Sequence, residues 1–303
     1  MKSDYDTIII GSGVAGMTAA IYLKRAGFNC CIFEKEIPGG QITKSSSVKN
    51  YPGFKEISGP DLAQNIYEQI KEINVEYKNL EVLQITIEDD LKVIKTNKGD
   101  FTAKTIIVAT GRTPKRLKIK NEEELIGKGI SYCALCDGNF FKNKDVVVIG
   151  GSNSALEEAS YLSNICKIVT IVNRSEDLRG DDIFQEELSK KENVAILKGY
   201  QIKEFVEEND RLKAVVIEKD GKEEQLLTEG CFIYIGQVPA STRFKDVIEF
   251  DEDGYIKVND EYETSTDGIY AAGDIVKKQA YQLLTAMGDA VIAATSCIRK
   301  LKK

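Results

Sequence analysis

The sequence predicts an α/β protein of two doubly wound domains, the second inserted into a discontinuous first. Three observations carry this. The chain has 303 residues, room for two domains at ~100–200 residues each. A β-branched run closed by a glycine-rich turn opens it, and the same pattern opens again at Asp145. Breaks at Thr113-Pro114 and around Val238-Pro239 bracket that second opening.

The first opening runs from Tyr5 to Ile10 and turns at Gly11. A helical pattern follows over Met17–Arg25, then a strand, Cys30–Phe33, ending in Glu34. Gly11-Ser12-Gly13-Val14-Ala15-Gly16 is a complete G-x-G-x-x-G in this Rossmann-like setting. The first glycine permits the turn, the second lets the backbone approach a pyrophosphate, and the third lets helix and strand pack closely. The helix start offers free N–H groups to phosphate, and Glu34 is placed to hold ribose hydroxyls. The second opening has the strand Asp145–Ile149, the turn Gly150-Gly151-Ser152-Asn153-Ser154-Ala155, a helix to Ser163 and a strand over Lys167–Val172. The expected domains are therefore residues 1–115 with 244–303, and residues 116–243. An apolar helical stretch, Leu283–Cys297, ends the first of these, and the basic Arg299–Lys303 suits a solvated helix end.

Composition narrows the chemistry. There is no histidine, so Ser-His-Asp and Cys-His catalysis and His-ligated metals are excluded, and no metal site is expected. Acid–base work falls to Asp, Glu, Lys, Tyr or Cys. With 41 basic and 48 acidic residues the net charge is −7, which does not suit a general nucleic-acid binder. No apolar run is long enough to span a membrane, and the start of the chain has no signal-peptide pattern. Seven scattered cysteines suit a reducing, cytoplasmic setting better than a disulfide framework.

Cys133-Ala134-Leu135-Cys136 stands apart by its spacing. Such a pair closes a disulfide across a tight turn or helix start, where the dipole favours thiolate. Half a zinc site and two inert buried thiols are the competing readings. Zinc lacks two further ligands, and the polar flanks Ser131, Tyr132 and Asp137-Gly138-Asn139 favour a redox pair. Asp137 is the nearest proton donor for a departing thiolate.

With these motifs in order the chain resembles the low-molecular-weight thioredoxin reductases over nearly its whole length. The resemblance implies an FAD-dependent oxidoreductase, a cytoplasmic homodimeric flavoprotein, that reduces thioredoxin. Its FAD site is the first glycine turn. Gly39-Gly40-Gln41 and Asn50-Tyr51-Pro52-Gly53 resemble segments near the flavin ring, and Thr105–Gly111, ending Ala109-Thr110-Gly111, resembles the second flavoprotein motif. Gly236–Pro239 resembles the return to the FAD domain. Asp274, closing Ala271-Ala272-Gly273, matches the Asp that meets the ribityl chain, and Gln282 a flavin-contacting Gln. Cys133, Cys136 and Asp137 match the redox pair and catalytic acid, with Leu135 where Thr is common. The family assigns Cys136 to the flavin side and Cys133 to attack on the target.

Three departures bear on the electron donor. NADPH-using relatives carry G-x-G-x-x-A in the second turn; here Ser152 replaces its second glycine and should crowd a pyrophosphate. Their His-Arg-Arg-x-x-x-Arg reads Asn173-Arg174-Ser175-Glu176-Asp177-Leu178-Arg179, keeping two arginines and adding carboxylates. Tyr281 stands where Arg is usual. Two elements of one site fail together, so reduced ferredoxin is expected as donor ahead of NADPH or NADH, as in the ferredoxin-dependent branch. An acidic ferredoxin needs a local basic face, for which Lys115-Arg116-Leu117-Lys118, Lys277-Lys278 and the C-terminal lysines are candidates. The alternatives are a pyridine-nucleotide-dependent reductase, a dithiol oxidase and a flavin redox sensor.

Overall fold

The computed structural model describes residues 3–45, 47–88, 90–240 and 244–303. The chain opens with β1 (Tyr5–Ile10), α1 (Val14–Arg25), β2 (Cys30–Glu34), α2 (Gly59–Glu72), β3 (Glu76–Asn79), β4 (Val82–Glu88), β5 (Leu91–Thr96) and β6 (Gly99–Val108). A short strand, β7 (Arg112–Pro114), leads to β8 (Ile130–Ser131), the one-turn helix α3 (Ala134–Asp137), β9 (Asp145–Ile149), α4 (Asn153–Ser163), β10 (Ile168–Asn173), α5 (Asp182–Ser189) and β11 (Val194–Lys198). Then come β12 (Gln201–Glu208), β13 (Arg211–Lys219), β14 (Lys222–Leu227), β15 (Gly230–Ile233), β16 (Gln237–Pro239), β17 (Ile269–Ala271) and the long α6 (Leu283–Leu301).

Two compact units result: Met1–Thr113 with Val238–Lys303, and Pro114–Gln237. The divisions fall a few residues earlier than expected from sequence. Pro114 and Gln237 each lie within a short strand, β7 and β16, and the two strands pair with each other. Composition does not reveal that pairing. Ser241–Arg243, where the second expected boundary lies, and Met1-Lys2 are outside the described residues.

In the first unit the sheet order is β3-β2-β1-β6-β5-β4, with β17 also on β6. Strands β1, β2, β3, β6 and β17 are parallel, and β4, β5 and β6 form an antiparallel meander. The β1–β2 register pairs Ile8 with Cys31 and Ile9 with Ile32. Alternate residues therefore enter opposite cores. Ile9, Cys30, Ile32 and Ile107 pack under α1, α2 and α6, while Ile8, Ile10, Cys31 and Phe33 pack with Ile256, Ile269 and Ile275. Both faces are covered, which is why these strands read as unbroken apolar runs. Small buried residues on α1 and α6, including Ala15, Ala19, Ala290 and Ala294, face the same core.

In the second unit the parallel order is β11-β10-β9-β15-β8, and β12-β13-β14 form a separate antiparallel sheet. Val146 and Val148 pack under α4; Val147 and Ile149 face Phe205, Val215 and Ile217 on the opposite side. No helix among the described residues is long and apolar enough to cross a membrane.

Candidate active site

The first glycine turn separates its three glycines by physical need. Gly11 has φ +106°, and a Cβ there would lie 2.4 Å from the Ala109 carbonyl oxygen. At Gly16 a Cβ would lie 1.9 Å from the Gly11 oxygen, so this glycine lets α1 meet β1. At Gly13 a Cβ would meet no atom of the described residues within 4 Å. Packing does not demand that glycine; a ligand lying against the turn would. Gly13 caps α1 without a side-chain hydrogen bond, and the first turn holds no acid. Among the described residues its first-turn N–H groups have no acceptor, so they and the positive dipole end could receive a phosphate. The Glu34 carboxylate accepts the Ser12 N–H at 2.8 Å and hydroxyl at 3.0 Å through Oε2, and the Glu36 N–H at 2.9 Å through Oε1. Lone pairs remain for hydroxyl donors.

Other segments gather around this turn. The Gly39 N–H donates to the Ser12 carbonyl at 2.9 Å, and a Cβ on Gly40 would lie 3.1 Å from Gly13 Cα. The Ala109 N–H donates to Ile10, and Thr110 Oγ1 donates to the Ala240 carbonyl at 2.9 Å, just before Gly111 turns with φ +66°. Ala272 N–H donates to Val108, and a Cβ on Gly273 would lie 2.8 Å from Ala15 Cβ, beside the buried Val14. Asn50 Nδ2 donates to Gln282 Oε1 at 3.1 Å. Gln41 Nε2 donates to the Arg112 carbonyl at 3.3 Å. Asp274 Oδ1 is buried with no partner among the described residues. Burial raises the Asp274 carboxyl, and Arg112 and Lys278 pull it back down. A helix start with no acid in its first turn, a held carboxylate and a buried unpaired acceptor would fit the pyrophosphate, ribose and ribityl hydroxyls of FAD. FAD held by these residues would supply the two-electron chemistry. Arg112 has no signal in the turn motifs.

In the second unit Cys133 and Cys136 are disulfide-bonded with Cα atoms 5.3 Å apart. Cys133 is the N-cap of α3, and its Sγ accepts the Cys136 N–H at 3.1 Å. In the dithiol state the same N–H would be placed to stabilise a thiolate at Cys133. Ser131 ties the pair to the acid: its hydroxyl accepts the Cys133 N–H at 3.0 Å and donates to Asp137 Oδ2 at 2.6 Å. The Tyr234 hydroxyl accepts the Ala134 N–H at 2.8 Å. Tyr234 was not legible as a site neighbour because β15 is far along the chain. Cys136 is exposed and Cys133 is 7% exposed, the reverse of what attack by Cys133 would suggest from access alone. Phe140 beside them is 74% exposed. The other five cysteines are all buried, and burial pushes Cys30 and Cys31 up to about 12 and Cys166 up to about 11.

The second glycine turn keeps its shape. Gly150 has φ +138°, and a Cβ there would lie 2.3 Å from the Tyr234 oxygen. Ser152 caps α4 in extended backbone, as Gly13 caps α1, so serine costs the fold nothing. Its Cβ and hydroxyl stand on the helix end that a pyrophosphate would approach. Asn173 is buried; its Nδ2 donates to the Ser175 and Asp177 carbonyls, so it holds the following loop. Glu176 is engaged by Lys219 at 2.8 Å, so its charge opposes a phosphate less than the sequence suggested. Arg174 and Arg179 are exposed and make no ion pair among the described residues. The basic face expected from Lys277-Lys278 is not free. Lys277 pairs with Asp251 and Asp253, and Lys278 pairs with the buried Asp289. Arg299 and Lys300 pair with Glu261 and Asp267, while Arg116 pairs with Glu123.

Glu158 on α4 is 9% exposed, and its Oε2 has no partner among the described residues. Burial, with Glu157 beside it, pushes its carboxyl up to about 7. The folded value lies above the unfolded one of about 4.3, so this group's stabilising contribution is complete below that pH and is lost as pH rises through 7. Glu158→Gln should therefore gain on wild type by up to about 2–3 kcal/mol between pH 5 and pH 8 in urea unfolding. A difference that does not change with pH would refute the burial argument.

The chain matches the family described as pyridine nucleotide-disulphide oxidoreductase over residues 5–290. It is 42% identical over 294 residues to the thioredoxin reductase of Bacillus subtilis (strain 168), covering 96% of this chain and 93% of that protein. Among solved structures it resembles Lactococcus lactis thioredoxin reductase in its FR conformation, with TM-score 0.94, 37% identity and 99% of each chain covered. A ferredoxin-flavin thioredoxin reductase from Clostridium acetobutylicum is 30% identical with TM-score 0.54 and 98% of each chain covered. These similarities do not place the chain in the ferredoxin-dependent branch that its altered nucleotide motifs suggested.

Proposed function

Because the chain belongs to the thioredoxin reductases, FAD-dependent enzymes of the pyridine nucleotide-disulphide oxidoreductase family, we propose that it reduces thioredoxin disulfide through the Cys133–Cys136 pair. The observation that carries this is the N-cap geometry of Cys133 with Asp137 tied to it through Ser131. In the dithiol state the Cys133 thiolate attacks the target disulfide, and one target sulfur leaves as thiolate. Cys136 then attacks the Cys133 sulfur of the mixed disulfide. The second target thiolate leaves, and the internal disulfide re-forms. Asp137 gives or takes the accompanying proton. The short bond from Cys136 N–H favours Cys133 as nucleophile; its limited exposure requires the end of α3 to open. The FAD residues are Gly11, Gly13, Val14, Ala15, Gly16, Glu34, Gly40, Gln41, Asn50, Ala109, Thr110, Gly111, Asp274 and Gln282.

For the donor we propose reduced ferredoxin, supported by the Ser152 side chain on the nucleotide turn and by the neutral Asn173 and Ser175 in the loop after β10. One specific observation favours NADPH as the second reading: Arg174 and Arg179 are exposed and make no ion pair among the described residues. A homodimer working in the cytoplasm completes the reading, and a monomer in sedimentation would remove the dimer.

Turnover distinguishes the classes. With an excess of reductant the purified yellow protein should reduce many equivalents of thioredoxin per chain. A sensor changes state once, and an oxidase makes peroxide from dithiols; either result would displace the reductase.

A further inference from the structure

We propose that Arg112 sets the charge around the flavin and favours its reduced form, with Tyr281 and Tyr255 holding the guanidinium in place. This rests on FAD occupying the first glycine turn and does not depend on which donor is used.

Arg112 opens β7 directly after Gly111, and its side chain is 17% exposed. The guanidinium carbon lies 3.8 Å from the centroid of the Tyr281 ring. Tyr281 in turn stacks on Tyr255, with centroids 5.8 Å apart and planes inclined by 28°. A cation over an aromatic face is held by the ring quadrupole, and the second ring removes the freedom of the first. Arg112 also joins residues assigned above to FAD. Its carbonyl accepts from Gln41, its Nη2 lies 3.5 Å from Asp274 Oδ2, and Tyr281 precedes Gln282.

Two buried atoms in this cluster lack partners among the described residues, Arg112 Nε and Asp274 Oδ1. One is a donor and the other an acceptor. Leaving such groups unmade is costly, so both are available to a ligand that brings a matching acceptor and donor. FAD bound at this site would offer acceptors to the donor and hydroxyls to the acceptor. The ion pair with Asp274 is looser than a charge-assisted bond of about 2.8 Å, so it leaves the guanidinium able to engage a further anion. Two electrons and one proton leave reduced flavin with one negative charge more than the oxidised ring. A fixed cation nearby favours that state, and charge near the ring is a main lever on flavin chemistry.

Sulfite reads this without turnover. It adds to oxidised flavin and leaves negative charge on the ring, so its affinity reports the local field. The holoenzyme, Arg112→Gln and Arg112→Lys are titrated with sulfite by flavin bleaching at saturating FAD, with circular dichroism to confirm folding. Arg112→Gln is expected to weaken sulfite binding about tenfold or more, and Arg112→Lys to stay within about threefold of wild type. Unchanged sulfite affinity in FAD-loaded Arg112→Gln overturns the proposal. Failure of folded Arg112→Gln to hold FAD also overturns it, since the residue then serves retention. A wild-type protein that takes up no FAD would instead remove the FAD assignment itself.

Discussion

Cys136→Ser should abolish thioredoxin reduction, by about a thousandfold or more, while the protein stays yellow. The variant keeps Cys133, so it can still form a mixed disulfide with its target. It lacks the sulfur that resolves that bond, and each chain should stop after one attack, trapped with a thioredoxin that mass spectrometry would detect. No other cysteine can stand in. The remaining five are buried, and burial raises their thiols well above the range where thiolate forms. FAD should be retained because Cys136 lies in the Pro114–Gln237 unit, whereas the glycine turn, Glu34 and Asp274 lie in the other. Cys133→Ser should be equally inactive and form no such trapped complex. Trapping through Cys136 in Cys133→Ser would reverse the two roles and agree with the greater exposure of Cys136. Retained turnover in either variant would remove the pair from the mechanism.

The parts of this site that were legible in sequence are those fixed by local backbone need. Gly11 and Gly150 sit at positive φ against a carbonyl oxygen, and Gly16 meets a backbone oxygen, so each position admits only glycine. Such positions leave a residue pattern that can be read without a structure. The spacing of Cys133 and Cys136 is likewise local, one turn of helix. What was not legible came from distant pairing. Tyr234 reaches Ala134 only because β15 lies between β9 and β8 in the sheet, and Arg112 reaches Tyr281 through the fold of the Met1–Thr113 and Val238–Lys303 unit. Lys277 and Lys278 show the same limit. They read as a basic run, and the structure binds both to carboxylates contributed by other segments. The antiparallel β12-β13-β14 sheet also left no motif. Its alternating residues face a core whose other wall is β9 and β15, so their pattern has meaning only once that sheet exists.

The largest effect on the electron supply should come from the turn at Ser152. Under anaerobic conditions NADPH or NADH should bleach the wild-type flavin poorly, and reduced ferredoxin should bleach it well. On the ferredoxin reading proposed above, two changes should restore nucleotide binding. Ser152→Gly removes the Cβ and hydroxyl from the cap of α4 without backbone strain, since the backbone is extended there, at a glycine entropy cost of at most about 1 kcal/mol. Ser175→Arg adds a guanidinium to an exposed loop that already presents Arg174 and Arg179. Asn173 should be left in place, because its side chain bonds the Ser175 and Asp177 carbonyls and so shapes that loop. A new charge-assisted bond to a phosphate contributes about 1.5–3 kcal/mol, so the double variant should bind NADPH about tenfold to a hundredfold more tightly than wild type. Its flavin should then bleach with NADPH while its response to ferredoxin is unchanged. Fast, stoichiometric bleaching of the wild type by NADPH would overturn the ferredoxin assignment. Arg174 and Arg179 would then already form a working phosphate site, with Ser152 tolerated beside it.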